Sequence, residues 1–80
     1  MVGVMETGEL KLLWNIGIGA RGQVRRAVIT VCEVNELEWD IQEEKGFLGS
    51  LFIIKIKGEV WKLKRVHQWS QQVVKDWNSA

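Results

Sequence analysis

Between Leu37 and Trp77 the spacing of apolar residues changes once, from strict alternation to a repeat of about 3.6, and this limits the chain to few architectures. Leu37, Trp39 and Ile41 alternate with Glu38, Asp40 and Gln42, Lys45 and Gly46 supply a turn, and Leu48–Lys57 returns as a second strand. In the return strand Phe52, Ile54 and Ile56 share one face and Phe47, Leu51 and Ile53 the other, so it is expected to be central in a sheet. Gly58 is expected to end it. Glu59–Trp77 then reads as a helix with Val60, Leu63, Val66, Val73, Val74 and Trp77 on one side, and Glu59 and Lys75 suit the two ends of its dipole.

Upstream, Leu10, Leu12, Trp14, Ile16 and Ile18 alternate with Lys11, Leu13, Asn15 and Gly17, which predicts a strand over Glu9–Gly19 with one buried face. Met1–Glu6, with Val2, Val4 and Met5, is expected to add a short strand folded back through Thr7 and Gly8. Gln23–Val34 supports two readings. Val24, Ala27, Val28, Val31 and Val34 fall at helical spacing, with Asn35 as a left-handed terminator, while Val28, Ile29, Thr30 and Val31 form a β-branched run. Arg21, Arg25 and Arg26 at the positive end of the dipole and Glu33 and Glu36 at the negative end oppose the helix, and short connections to both neighbouring strands favour it.

The favoured order is therefore β-α-β-β-α in two layers, an α+β class. In topology alone it resembles a ferredoxin-like split β-α-β unit that lacks its last strand or replaces it with the N-terminal one. The alternative is an antiparallel meander with a C-terminal helix, which is also α+β. Eighty residues without proline, repeats or a linker make one small domain over residues 1–80. Folding at this length removes only about 60% of the unfolded chain's surface from water, so a partner subunit would add stability.

Charged residues make up 26% of the chain and nearly cancel at +1, which excludes a strongly electrostatic polyanion binder but leaves room for a local basic face. One cysteine, Cys32, cannot form an internal bridge, and the N-terminus lacks the layout of a signal peptide, so a cytoplasmic protein is expected. Apolar runs such as Leu51–Ile54 fall far short of the roughly 18 residues that span a bilayer, and no membrane role is expected.

Gly17, Ile18, Gly19, Ala20, Arg21 and Gly22 spell G-x-G-x-x-G, the pattern whose glycines admit a pyrophosphate to helix N–H groups, with Glu38 and Asp40 at a suitable distance for a ribose. A chain this short cannot build the rest of such a site, and a hairpin replaces the parallel strand that should follow. Binding of a simple anion through Gly17, Gly19, Arg21 and Gly22 is the milder reading. Lys45, Gly46 and Phe47 match the start of the octapeptide of RNA-recognition motifs, but the second stacking aromatic would fall at Gly49 and Trp14 alternates onto the helix side. A basic helix face at Lys64 and Arg65, or Arg21, Arg25 and Arg26, keeps nucleic acid as an alternative partner.

His67, on the margin of the apolar stripe, is expected to be packed and hydrogen-bonded. It has no second histidine or further cysteine to complete a metal site, and nothing brings it to Cys32 as a catalytic pair. Glu33, Glu36, Glu38, Asp40, Glu43 and Glu44 fall where solvent faces of the hairpin need them, so acid–base chemistry is not indicated. No enzyme activity, metal or cofactor is expected. Two surfaces remain. Trp61 lies opposite the apolar stripe beside Arg65, either as a local cation–π pair or as an outward docking point. With both helices over Leu12, Trp14, Ile16, Trp39, Ile41, Phe52 and Ile54, the residues Leu13, Phe47, Leu51 and Ile53 are left on an open sheet face. An apolar patch of several hundred square ångströms is unusual on a monomer, so the chain reads as a small interaction or regulatory module that forms a homodimer through that face or through a sheet edge.

Overall fold

The computed structural model describes residues 6–78, and the chain runs β1 (Thr7–Gly17), α1 (Arg21–Val34), β2 (Glu38–Lys45), β3 (Gly49–Glu59) and α2 (Val60–Asn78). The fold is α+β. Three strands form one antiparallel sheet in the order β1-β3-β2. The central place of β3 follows from its sequence: Phe52, Ile54 and Ile56 are completely buried, and Leu51 and Ile53 on the other face are half-buried. Both helices cover the face formed by Leu12, Trp14 and Ile16 of β1 and Phe52, Ile54 and Ile56 of β3, contributing Val24, Val28 and Cys32 from α1 and Leu63 and Val66 from α2.

The ambiguous segment is helical, which removes the meander. Val24, Val28 and Cys32 recur every four residues and bury one stripe. The β-branched run is accommodated because Thr30 Oγ1 donates to the Arg26 carbonyl at 2.8 Å. No side chain caps the start at Ala20, and the helix has no acidic residue in its first turn or basic residue in its last. Its other end is well terminated. The Leu37 N–H donates to the Cys32 carbonyl at 2.8 Å and the Glu36 N–H to the Glu33 carbonyl at 3.2 Å, the bond pair of a Schellman turn. The left-handed residue in this turn is Glu36, with φ 56°, rather than Asn35. Asn35 stays at φ −94° while its Nδ2 donates to the Val31 carbonyl at 2.8 Å, so the reversal falls one residue later.

Two expected boundaries are corrected. Thr7 and Gly8 are not a turn: they belong to β1 and pair with Glu59 and Gly58, and Gly8 lies against Val60 and Leu63. The strand expected from Val2, Val4 and Met5 lies outside the described residues. Gly58 does not end β3 either. It is a glycine because Leu37 occupies the space a Cβ would need, and the ladder continues to Glu59. Helix α2 then starts with no intervening loop, and the Val60 N–H donates to the Glu6 carbonyl at 2.9 Å.

Ser70 interrupts the apolar stripe of α2 yet is buried, its hydroxyl donating to the His67 carbonyl at 2.7 Å. Trp39, expected in the core, stands on the helix-covered face of the edge strand β2 opposite Ile56 but is 40% exposed.

Candidate functional site: the open sheet face

The register of the two ladders sets out the uncovered face as rows across β1, β3 and β2. Asn15, Leu51 and Glu44 form one row and Leu13, Ile53 and Gln42 the next; Lys11, Lys55 and Asp40 follow, then Glu9, Lys57 and Glu38. The face thus divides into an apolar half, where Leu13, Leu51 and Ile53 form a short strip flanked by Asn15, Gln42 and Glu44, and a charged half whose three cations and three anions cancel. Glu9 and Lys57 form an exposed ion pair at 3.8 Å. In the apolar half Leu13 is 61% exposed and Leu51 and Ile53 are half-buried against their strand neighbours.

Phe47 is not on this face. β2 ends at Lys45 and β3 begins at Gly49, so Phe47 lies in the connection between them and is 95% exposed. Leu48 in the same connection is also exposed, and its carbonyl accepts from the Ile18 N–H at 3.2 Å, tying the turn after β1 to the hairpin loop. The exposed Ile18, Phe47 and Leu48 therefore gather at the end of the sheet next to the apolar half. Between them lies a row without side chains, Gly17 opposite Gly49, which floors a hollow walled by Asn15, Glu44, Leu48 and Leu51. Ile18 and Leu48 were hidden in the sequence because each continues a strand alternation past the point where its strand ends.

Trp61 and Arg65 belong elsewhere, at the start of α2 on the helix layer. The Trp61 Nε1–H donates to Glu59 Oε2 at 2.6 Å, and Lys62 Nζ and Arg65 Cζ lie 5.5 and 5.8 Å from the ring centre. Lys62 Nζ also reaches Glu59 Oε1 at 3.4 Å. The half-exposed indole is held by its own neighbours, as a local cation–π arrangement requires.

The glycine run gives no dinucleotide site. Gly17 ends β1, Gly19 lies in the turn and Gly22 in the first turn of α1; none has positive φ, and a Cβ at any of them would meet nothing within 4 Å. Arg21, the first residue of α1, is half-buried. Moreover β3 separates β1 from β2, and Glu38 and Asp40 stand level with Glu9 and Lys11, about 25 Å along the strands from Gly17.

Comparison with protein-family models, with curated proteins and with solved structures finds no match.

The groups that could carry chemistry are dispersed. Cys32 is completely buried, and desolvation pushes its thiol up to about 11, so it stays protonated at neutral pH. His67 is exposed on α2 rather than packed, because the stripe there runs through Val66 and Ser70 instead. Glu43 is the exception among the hairpin carboxylates: it points to the helix-covered face, half-buried, and accepts from the Ser50 hydroxyl at 2.7 Å. Among the described residues no three His, Cys, Asp or Glu side chains gather as a metal site, every buried side-chain nitrogen or oxygen has a hydrogen-bond partner, and no helix is long and apolar enough to cross a membrane.

Proposed function

We infer that the protein is a small non-enzymatic interaction module that self-associates as a dimer through the open face or a free edge of its sheet. The observation that carries this reading is the uncovered apolar half-face of Leu13, Leu51 and Ile53, continued at the sheet end by Ile18, Phe47 and Leu48. A patch of this kind on so small a chain marks an interaction surface, and the free outer edge of β1 beside it is a second place for a partner. The β-α-β-β-α order with β3 between β1 and β2 further resembles a ferredoxin-like unit without its last strand, and such a strand would lie beside β1. A protonated, buried Cys32 and an exposed His67 support a binding role over a catalytic one.

The test is solution mass by light scattering over a concentration series. The expected result is a mass rising from monomer to dimer; a chain that stays monomeric at every concentration sinks the reading. Leu51→Lys with Ile53→Lys measures how much of the association the apolar face carries. The basic positions Arg21, Arg25, Arg26, Lys64 and Arg65 belong to the alternative, nucleic-acid or anion binding, which predicts affinity that falls steeply with salt.

A further inference from the structure

We propose that the outer edge of β1 is occupied by β1 of a second copy, paired antiparallel about Leu10, so that two sheets join into one of six strands. This rests on the reading that the chain self-associates, and it assigns the contact to the free edge of β1 rather than to the open face and names the register used.

The hydrogen bonds around β1 show which of its backbone groups face outward. Ile18 N–H donates to the Leu48 carbonyl at 3.2 Å on the β3 side, and the Ile16 carbonyl points at β3, where a Cβ on Gly49 would collide with it. Asn15 turns its carbonyl the other way, to Asn78 Nδ2 at 3.4 Å in the last turn of α2. Because these directions alternate along a strand, even-numbered residues of β1 bond to β3 and odd-numbered ones present N–H and C=O to the free edge. Among the described residues no strand pairs there. With Asn15 covered by Asn78, the stretch left for a partner is Thr7–Leu13, and its midpoint is Leu10.

Charge selects the occupant and the register. β2, the other edge, carries Glu38, Asp40, Glu43 and Glu44 against Lys45 alone, so pairing with its own copy would set carboxylates beside carboxylates. β1 carries only Glu9 and Lys11 and is neutral. A twofold axis at Glu9 would set that carboxylate against its own copy, and an axis at Lys11 would oppose two ammonium groups. An axis at Leu10 sets Glu9 opposite Lys11 of the second copy, and symmetry repeats the pair. It also places Leu10, which packs against the core, beside Leu10 of the second copy on the helix side.

The experiment is sedimentation equilibrium at low ionic strength on the whole chain and on Glu9→Lys, Lys11→Glu and the double exchange. Each single reversal brings like charges together at both symmetric contacts and weakens the dimer about tenfold or more, and the double exchange restores it. Leu10→Cys, opposite itself in a non-hydrogen-bonded pair with Cα atoms about 4.5 Å apart, gives a disulfide-linked dimer under mild oxidation, within the range such a bridge spans. A wild-type dimer indifferent to both single reversals, a double exchange that fails to restore it, or assembly growing beyond two copies would overturn the edge proposal while leaving self-association standing. A wild-type chain that is monomeric throughout removes both.

Discussion

The indole of Trp77, in the last turn of α2, stands edge-on to that of Trp14 in β1, with ring centres 5.9 Å apart and planes inclined by 64°. On its other side Trp77 meets Trp69 at 6.3 Å and 89°. It is the middle ring of three, and such edge-to-face pairs add about 0.5–1.5 kcal/mol each beyond the area they bury. Trp77→Ala is expected to destabilise the fold by about 3 kcal/mol, measured by urea unfolding, and to abolish most of the near-ultraviolet circular dichroism. Trp61→Ala, which removes an indole held by surface contacts, should change stability by less than about 1 kcal/mol.

Glu36 occupies a backbone region that glycine adopts without steric cost. Glu36→Gly is therefore expected to stabilise the protein by about 0.5–1 kcal/mol, seen as a higher melting temperature. Asn35→Gly should do the opposite, since Asn35 is right-handed and its side chain caps Val31.

Gly49 and Gly19 look alike in the sequence and should respond differently to alanine. A Cβ at Gly49 would collide with the Ile16 backbone carbonyl, which cannot swing away as a side chain can, so Gly49→Ala should cost about 2 kcal/mol or more. Gly19→Ala meets nothing within 4 Å at an ordinary φ and should leave stability unchanged or raise it by up to about 1 kcal/mol. Equal losses in the two variants, measured by chemical denaturation, would contradict this assignment.

Burial raises the Cys32 thiol from 9.0 to about 11, and the sign of its effect on stability follows. Above pH 9 the unfolded chain releases this proton and the folded chain holds it, so the contribution is fully present below pH 9 and is lost as pH rises through about 11. The full loss is about 2–3 kcal/mol. The pH dependence of unfolding between these limits should be steeper in the wild type than in Cys32→Ala, and thiol reagents should label Cys32 at a rate set by opening of the fold.

Much of the fold was legible because its signals were periodic. The alternation in the hairpin and the 3.6 repeat of α2 each follow from burial of one side of a regular element, and the two apolar faces of β3 from its central place, whereas α1 stayed between two readings because its valine spacing and its β-branched run pointed different ways. What could not be read depends on contacts between distant residues. Gly58 resembles a stop until Leu37 is seen in the space beside it, and Thr7 and Gly8 resemble a turn until Glu59 and Gly58 are placed opposite. Of the candidate site, Leu13, Leu51 and Ile53 share the open face as their alternation implies. Phe47 was misplaced because parity along a strand has no meaning once the strand ends at a loop, and Glu43 because its charge suggested solvent although its alternation with Trp39 and Ile41 puts it on the helix-covered face.

The contact between Trp14 and Trp77 also orders events in time. A chain made from its N-terminus exposes Trp14 early, and the ring that packs against it is made 63 residues later. For most of that interval, until synthesis reaches α2 at Val60, the helix-facing side of β1 has no α2 over it. The nascent chain therefore carries an uncovered apolar strand until nearly all of the described domain has been synthesised, and conditions that slow its completion would prolong exposure to misassembly or to a chaperone.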